Sequence, residues 1–384
     1  MIAYHVVILA FLLCMAVIAV VNVLTIHTLT PVSTVRRRPL VSILIPARNE
    51  ASVIRTCMEA LANQKYPSTE VIVLDDQSND DTALVVRAYS DRIQGLRVVR
   101  GLPLPAGWVG KNYACHQLSA LAEGEVLIFL DADTKPAPWL VNSVLAYMAK
   151  TGAGMVSVLP RQVMGSFWEK VVLPLFYFVT FGLLPFPLVH RTRDQRFAMA
   201  NGQCLAFTTT QYRAMGGHAA VRSAIVEDVW LARLAKRSGG TLRVVDGGDG
   251  ISCRMYRSFG EIWRGFTKNI FAGVGYSISA LTGVTLFLLT TSILPYVFLA
   301  MKIINWHPGM TAALVMLQVI VLIEIRIVLA LRYRTGVLSV LFHPIGVGLM
   351  IVIGVVSAVS VLFGRGARWK GRIYNFYDEA AGGG

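Results

Sequence analysis

The chain has 384 residues, of which 55% are hydrophobic and 15% charged, with a formal net charge of +14 at pH 7. A mean hydropathy of +0.57 is too apolar for an ordinary soluble domain, so part of the chain is expected in lipid. The positive charge gathers beside apolar runs, at Arg36, Arg37 and Arg38 and again from Arg365 to Arg372; this position argues for a membrane and against a nucleic acid as partner.

Residues 1–35 are predicted to be a transmembrane anchor, since 2–35 carry no acidic or basic charge and 6–24 are almost continuously apolar. The three arginines after this run, and the lack of a basic n-region, argue against a cleaved signal and place residue 36 onward in the cytoplasm. Residues 36–258 are then expected to form a cytoplasmic domain. Within it, "LVSILIP" (40–46), "EVIVLDD" (70–76), "LRVVR" (96–100) and "EVLIFLDAD" (125–133) are each followed by a helical segment, the pattern of parallel strands in an α/β layer fold. Residues 171–190 are long and apolar enough to span, but three prolines interrupt them and a crossing would divide the polar candidates between two compartments. They are expected as an interfacial insert, with a second interfacial helix over 259–275. The region 276–363 holds three apolar runs, about 276–301, 310–331 and 337–363, and a basic tail occupies 364–384. Three crossings would leave that tail outside, against the positive-inside tendency; a re-entrant 337–363 broken near His343 and Pro344 would not. Glu324 and Arg326 are either intramembrane charges or mark an interfacial helix end.

The five cysteines, at 14, 57, 115, 204 and 253, make no C-x-x-C pair and no metal-ligand spacing, which suits buried thiols in a reducing compartment. Ligands of parallel α/β sheets sit at the carboxyl ends of strands, and there the polar residues cluster: Pro46 to Glu50, Asp75 and Asp76, Asp131 and Asp133. Two acidic pairs at the ends of two parallel strands converge on one crevice, where one carboxylate can hold Mg²⁺ or Mn²⁺ bridged to a diphosphate and another can accept hydrogen bonds from a ribose or base. "GWVGKNYAC" (107–115) is not a Walker A loop, having two residues between its glycines and Asn112 after the lysine. Gly107, Gly110 and Lys111 still open a helix whose N-terminus suits an anion. Glu227 and Asp228 begin an amphipathic helix, where acidic residues favour the dipole; Asp228 is also a candidate general base.

"VSILIPARNE", "VIVLDDQSNDDT", "GWVGKNYACHQ", "FLDADT", "ANGQCLAF", "AIVEDVWLA" and "CRMYRSFGEIWRGFTKN" together resemble the membrane-bound members of glycosyltransferase family 2, in particular the bacterial carotenoid-acid (4,4'-diaponeurosporenoate) and hopene-associated glycosyltransferases. The resemblance covers about residues 40–275, with the blocks in family order. It implies a nucleotide-diphospho-sugar transferase fold, Rossmann-like with a mostly parallel sheet, an inverting mechanism, a UDP-sugar donor and a divalent metal. It places Pro46, Arg48 and Glu50 around the nucleotide, Asp76 near uracil with Asp75 supporting that loop, Lys111 near the diphosphate, Asp131 at the ribose, Asp133 at the metal and Asp228 as base. The family's terminal Q-x-x-R-W motif is absent as such, and "RWKGR" (368–372) stands in its place. The expectation is a multi-pass cell-membrane enzyme that glycosylates a lipid-soluble acceptor such as a carotenoid acid. A processive polysaccharide synthase and a catalytically silent nucleotide- or lipid-binding scaffold are the alternatives.

Overall fold

The structure is a computed structural model that describes residues 1–305, 309–363 and 367–374. The chain divides into two compact units, one of Ile26–Val163 with Pro187–Met255, the other of Met1–Thr25, Met164–Phe186 and Tyr256–Gly384.

In the first unit the four apolar runs read as strands all form strands: β1 (Val41–Ala47), β2 (Thr69–Asp75), β3 (Leu96–Arg100) and β4 (Val126–Leu130). After them come β5 (Thr134–Pro136), β6 (Met155–Leu159), β7 (Arg161–Gln162), β8 (Cys204–Thr208), β9 (Leu242–Asp246) and β10 (Ile251–Cys253). Seven of them pair in the order β3-β2-β1-β4-β8-β6-β9, while β5, β10 and β7 make a separate small sheet. Pairing is parallel from β3 to β4 and between β6 and β9; β8 alone runs antiparallel to both its neighbours. The residues of β4 and β6 are buried throughout, as a sheet covered on both faces requires.

The reversed strand decides what meets at the end of β4. Because Cys204 pairs with Leu130, the residues that precede β8 lie beside those just past β4, and Asp131 N donates to Gln203 O at 3.1 Å. A parallel strand would have brought its other end there. The unit also starts earlier than the charge pattern suggests. The N-terminal helix stops at Thr25, and the next residues add to the edge of β9: Leu29 N donates to Asp246 O at 2.8 Å and Asp246 N to His27 O at 2.9 Å.

In the second unit, among the described residues, four helices are long and apolar enough to cross a membrane: Ile2–Thr25, Ile278–Ile304, Met310–Tyr333 and His343–Leu362. The second contains a π-helical stretch, Leu289–Ile293, just before Pro295, which absorbs the hydrogen bond that proline cannot donate. The apolar run 171–190 is not one helix. It falls into Phe167–Val172, Pro174–Leu183 and Phe186–Arg191, broken where Pro174 and Pro185 enter, and each piece is too short to span. Asn22 of the N-terminal helix, fully buried, donates to the carbonyls of Phe181 and Leu184 at 2.8 Å each and accepts from Phe186 N at 2.7 Å, so it satisfies the backbone groups that the break exposes.

The expected break near His343 lies ahead of it, between a short helix Leu338–Leu341 and the 20-residue helix His343–Leu362. Pro344 sits in the first turn of the longer helix, where its missing N–H costs no bond, and that helix has the length of a full span. Glu324 is exposed, whereas Arg326 is buried and donates to Ser339 O at 2.6 Å and to Pro174 O at 3.0 Å. The helix Phe259–Gly273 buries Ile262 and Phe271. The "RWKGR" segment lies in a hairpin of Ala367–Trp369 with Arg372–Tyr374, and residues 375–384 of the basic tail are outside the described residues.

If 171–190 does not cross the bilayer, a cysteine-free variant carrying Lys150→Cys or Gln195→Cys will react with an impermeant maleimide from the same side of sealed vesicles. Labelling from opposite sides would show a crossing.

Candidate functional site

The loops that leave β1 and β2 are tied to each other. Asp76 N donates to Ala47 O at 2.8 Å, and the Arg48 guanidinium donates to the carbonyls of Asp76 and Gln77, the latter at 3.1 Å. Asn49 N donates to Ser78 Oγ at 2.9 Å and Glu50 N to Thr82 Oγ1 at 2.8 Å. Asp75 Oδ1 accepts from Ser78 N at 3.1 Å, closing the turn after β2. Asn49 and Gln77 take left-handed conformations, with φ of 51° and 56°, so the two loops are held in shapes that extended chain would not adopt. Pro46 is still inside β1, half-buried, beyond the stretch that pairs with β4, where it need not donate.

A second group forms around Lys111, in the first turn of the helix Gly110–Leu121. Lys111 Nζ lies 2.8 Å from Asp131 Oδ1, at the end of β4, and 3.0 Å from Glu227 Oε1, at the head of the helix Glu227–Arg237. Asp228 is fixed beside them by backbone donors, Gly202 N to Oδ2 and Val229 N to Oδ1, both at 2.8 Å. Gly202 stands close to this group. A Cβ there would come within 3.2 Å of both Lys111 Nζ and Glu227 Oε1.

The electrostatics separate these carboxyls. Burial alone would lower the Lys111 ammonium, but Asp131 and Glu227 outweigh it and hold the group well above the usual lysine value. Burial likewise works against Glu227, yet Lys111 keeps it below the ordinary carboxylate range. Asp228 has no such cation in contact; burial and the charge of Glu227 push it up to about 7. Asp133 is also pushed up to about 7, by burial and then by Asp131 and Glu50.

Asp133 Oδ1 is buried without a hydrogen-bond partner. Among the described residues no three His, Cys, Asp or Glu side chains stand together as a metal cage. One open carboxylate with Asp131 near it suits a hard dication that takes only one or two protein carboxylates and completes its shell with phosphate and water.

Of the residues singled out from the sequence, Arg48, Glu50, Asp75 and Asp76 therefore share the β1 and β2 loops, while Lys111, Asp131 and Asp228 form the second group. Asp133 feels charge from both, through Glu50 and Asp131. Lys111 was expected to face a diphosphate and is engaged by two carboxylates. Sequence reasoning weighed Glu227 only as a favourable charge at a helix start, and it passed over Gly202 and Gln203.

Lys111→Met will leave Asp131 and Glu227 facing each other in a half-buried site, and the chain will lose about 3 kcal/mol at neutral pH. With the cation gone, nothing offsets the desolvation of Glu227 and its pKa rises, so the deficit will shrink as pH falls and it protonates. Thermal melting of both proteins at two pH values checks it.

Residues 42–215 match the family described as Glycosyl transferase family 2. A 4,4'-diaponeurosporenoate glycosyltransferase of Staphylococcus haemolyticus is 26% identical over 236 residues, and the enzyme of that name from Staphylococcus aureus is 29% identical over 241. Each match covers 61% of this chain and 61% of the relative's length. A mannosyltransferase of Pyrobaculum calidifontis, solved with GDP-Man and Mn²⁺, superposes with a TM-score of 0.55 at 19% identity, covering 94% of this chain and 99% of that one, which shows a shared fold. The mostly parallel sheet is thus a fold shared with that mannosyltransferase, and residues 42–215 are similar to glycosyl transferase family 2.

Proposed function

We propose that the protein is an inverting glycosyltransferase that moves a sugar from a UDP-sugar donor onto a lipid-soluble acceptor, a carotenoid acid or a related isoprenoid lipid, at the cytoplasmic face of the cell membrane. The observation that carries this reading is Asp228, held by two backbone N–H groups at the head of a helix and beside the Lys111, Asp131 and Glu227 group at the end of β4. The names of the staphylococcal relatives support the acceptor class, and the four apolar helices support a membrane setting.

In this reading the β1 and β2 loops, with Pro46, Arg48, Glu50, Asp75 and Asp76, hold the nucleoside, and Asp131 lies toward the ribose. Asp133, helped by Asp131, holds Mg²⁺ or Mn²⁺, which when bound supplies positive charge to the departing diphosphate. Lys111 adds a fixed charge on the same side. The acceptor oxygen attacks the anomeric carbon, the bond to the diphosphate breaks, and its electron pair leaves with UDP. Asp228 takes the acceptor proton. A carboxyl brought up to about 7 is a better base than an ordinary aspartate and keeps an ionised population at neutral pH.

Asp133→Ala is expected to abolish transfer and, with it, the dependence of UDP binding on Mn²⁺. Equal UDP affinity with and without Mn²⁺ in both proteins, read by calorimetry, would remove the metal from this site.

Asp228→Asn keeps the shape of the side chain and removes the base. With a hydroxyl lipid the rate should fall by roughly 10² to 10⁴. With a carboxylic acid, already ionised at neutral pH from an ordinary pKa of about 4, the mutant should retain appreciable turnover. In the wild type, kcat/KM on the hydroxyl acceptor at saturating metal should fall as pH drops below about 7, because the base is then protonated. Undiminished turnover of the mutant on a hydroxyl lipid would exclude Asp228 as base.

A further inference from the structure

We infer that Asn112 is a positioning residue: its side-chain amide gathers the carbonyls of residues 221–224 and so fixes the start of the Glu227–Arg237 helix, and with it Asp228, against the helix that carries Lys111. This rests on the role of base proposed for Asp228. Asn112 follows Lys111 in the first turn of the helix Gly110–Leu121 and is fully buried. Its Nδ2 donates to Val221 O at 2.7 Å, to Ala224 O at 2.9 Å and to Arg222 O at 3.2 Å. Two protons thus serve three acceptors. Oδ1 is buried with no partner, and the amide cannot turn over to relieve it, because the oxygen would then face three carbonyls. The backbone adds a parallel tie: Val109 N, just ahead of the helix, donates to Arg222 O at 2.8 Å.

Successive side chains of one helical turn therefore hold one loop at both ends. Asn112 takes residues 221–224 by neutral hydrogen bonds, and Lys111 takes Glu227 by charge, 3.0 Å away. Between these anchors only Ile225 and Val226 intervene, and Ile225 is buried, which leaves the segment little slack. Asp228 is the residue after the second anchor. Its carboxylate accepts from Gly202 N at 2.8 Å, a contact that depends on where the helix begins. The two anchors also differ in what disturbs them. A diphosphate beside Lys111 competes with Glu227 for its ammonium, whereas a neutral amide bound to peptide carbonyls has no net charge to be drawn away. The amide keeps the base in place while the donor is bound.

The test is transfer by full-length protein in detergent to retinol and to retinoic acid, an isoprenoid alcohol and the acid of the same skeleton, from the UDP-sugar that the wild type uses fastest. Asn112→Leu has the same branching and should fold, since Val221 O keeps Ala224 N, Arg222 O keeps Val109 N, and the open Oδ1 goes with the amide. On retinol its kcat should fall roughly tenfold to a hundredfold, the cost of a base displaced by up to about 1 Å. On retinoic acid, which needs no base, kcat should stay within about threefold, and the half-saturating donor within about twofold on either acceptor, a split that a general loss of structure would not give. Val109→Pro removes only the backbone tie; at φ −80° and ahead of the first helical turn the position accepts proline, and the same split, smaller, should appear. It decides the matter if Asn112→Leu does not fold. Equal losses on both acceptors, or none on retinol, overturn the positioning role of Asn112 while Asp228→Asn still tells the two acceptors apart. An Asp228→Asn that turns over retinol undiminished, or a wild type that does not use retinol at all, overturns the base and the positioning role with it.

Discussion

The site is organised by one ammonium group set between two carboxylates. Lys111 joins the end of β4, through Asp131, to the head of the Glu227 helix, and its own helix begins one residue earlier. Three elements distant in sequence are thus referred to a single charge. In a half-buried setting that contact is strong enough to overcome the desolvation of both Lys111 and Glu227, and each keeps its charge. The neighbour without such a contact, Asp228, moves the other way. One cation therefore separates two adjacent acids, Glu227 held below the ordinary carboxylate range and Asp228 raised to about 7, the kind of separation that acid and base chemistry requires.

The second constraint is topological. A wholly parallel sheet would offer the site only loops that leave strand ends. Reversing β8 adds a loop that enters one, residues 201–203, whose backbone faces the acidic residues: Gly202 N meets Asp228, and Gln203 O meets the N–H of Asp131. Peptide groups are well suited to this, since they hold a carboxylate without adding charge or rotamer freedom. A side chain at Gly202 would crowd the ends of Lys111 and Glu227.

Much of this could be read from the sequence, because parallel strands are apolar runs with polar ends, and β1 to β4 fell where those runs fall. The apolar 171–190 read correctly as an interrupted segment, since proline acts locally. The unreadable features depend on pairing between distant parts. Nothing in "CLAFT" marks β8 as reversed, so Gly202 and Gln203 had no visible reason to be near Asp131. Glu227 looked sufficient as a helix cap, because its partner lies more than a hundred residues earlier. The boundary near residue 26 was hidden for the same reason, as the edge of β9 that receives it is far along the chain.

Asn22 carries a different lesson. The N-terminal helix has the composition of a simple tether, for which any apolar stretch of equal length would serve. Its one fully buried amide, however, satisfies two carbonyls and an N–H around the interruption between Leu183 and Phe186. In an apolar surrounding no water stands ready to take over those bonds if the amide is lost. The helix is therefore not interchangeable with a generic membrane leader. It carries, at one position, the hydrogen-bond partner that the interrupted segment lacks within itself.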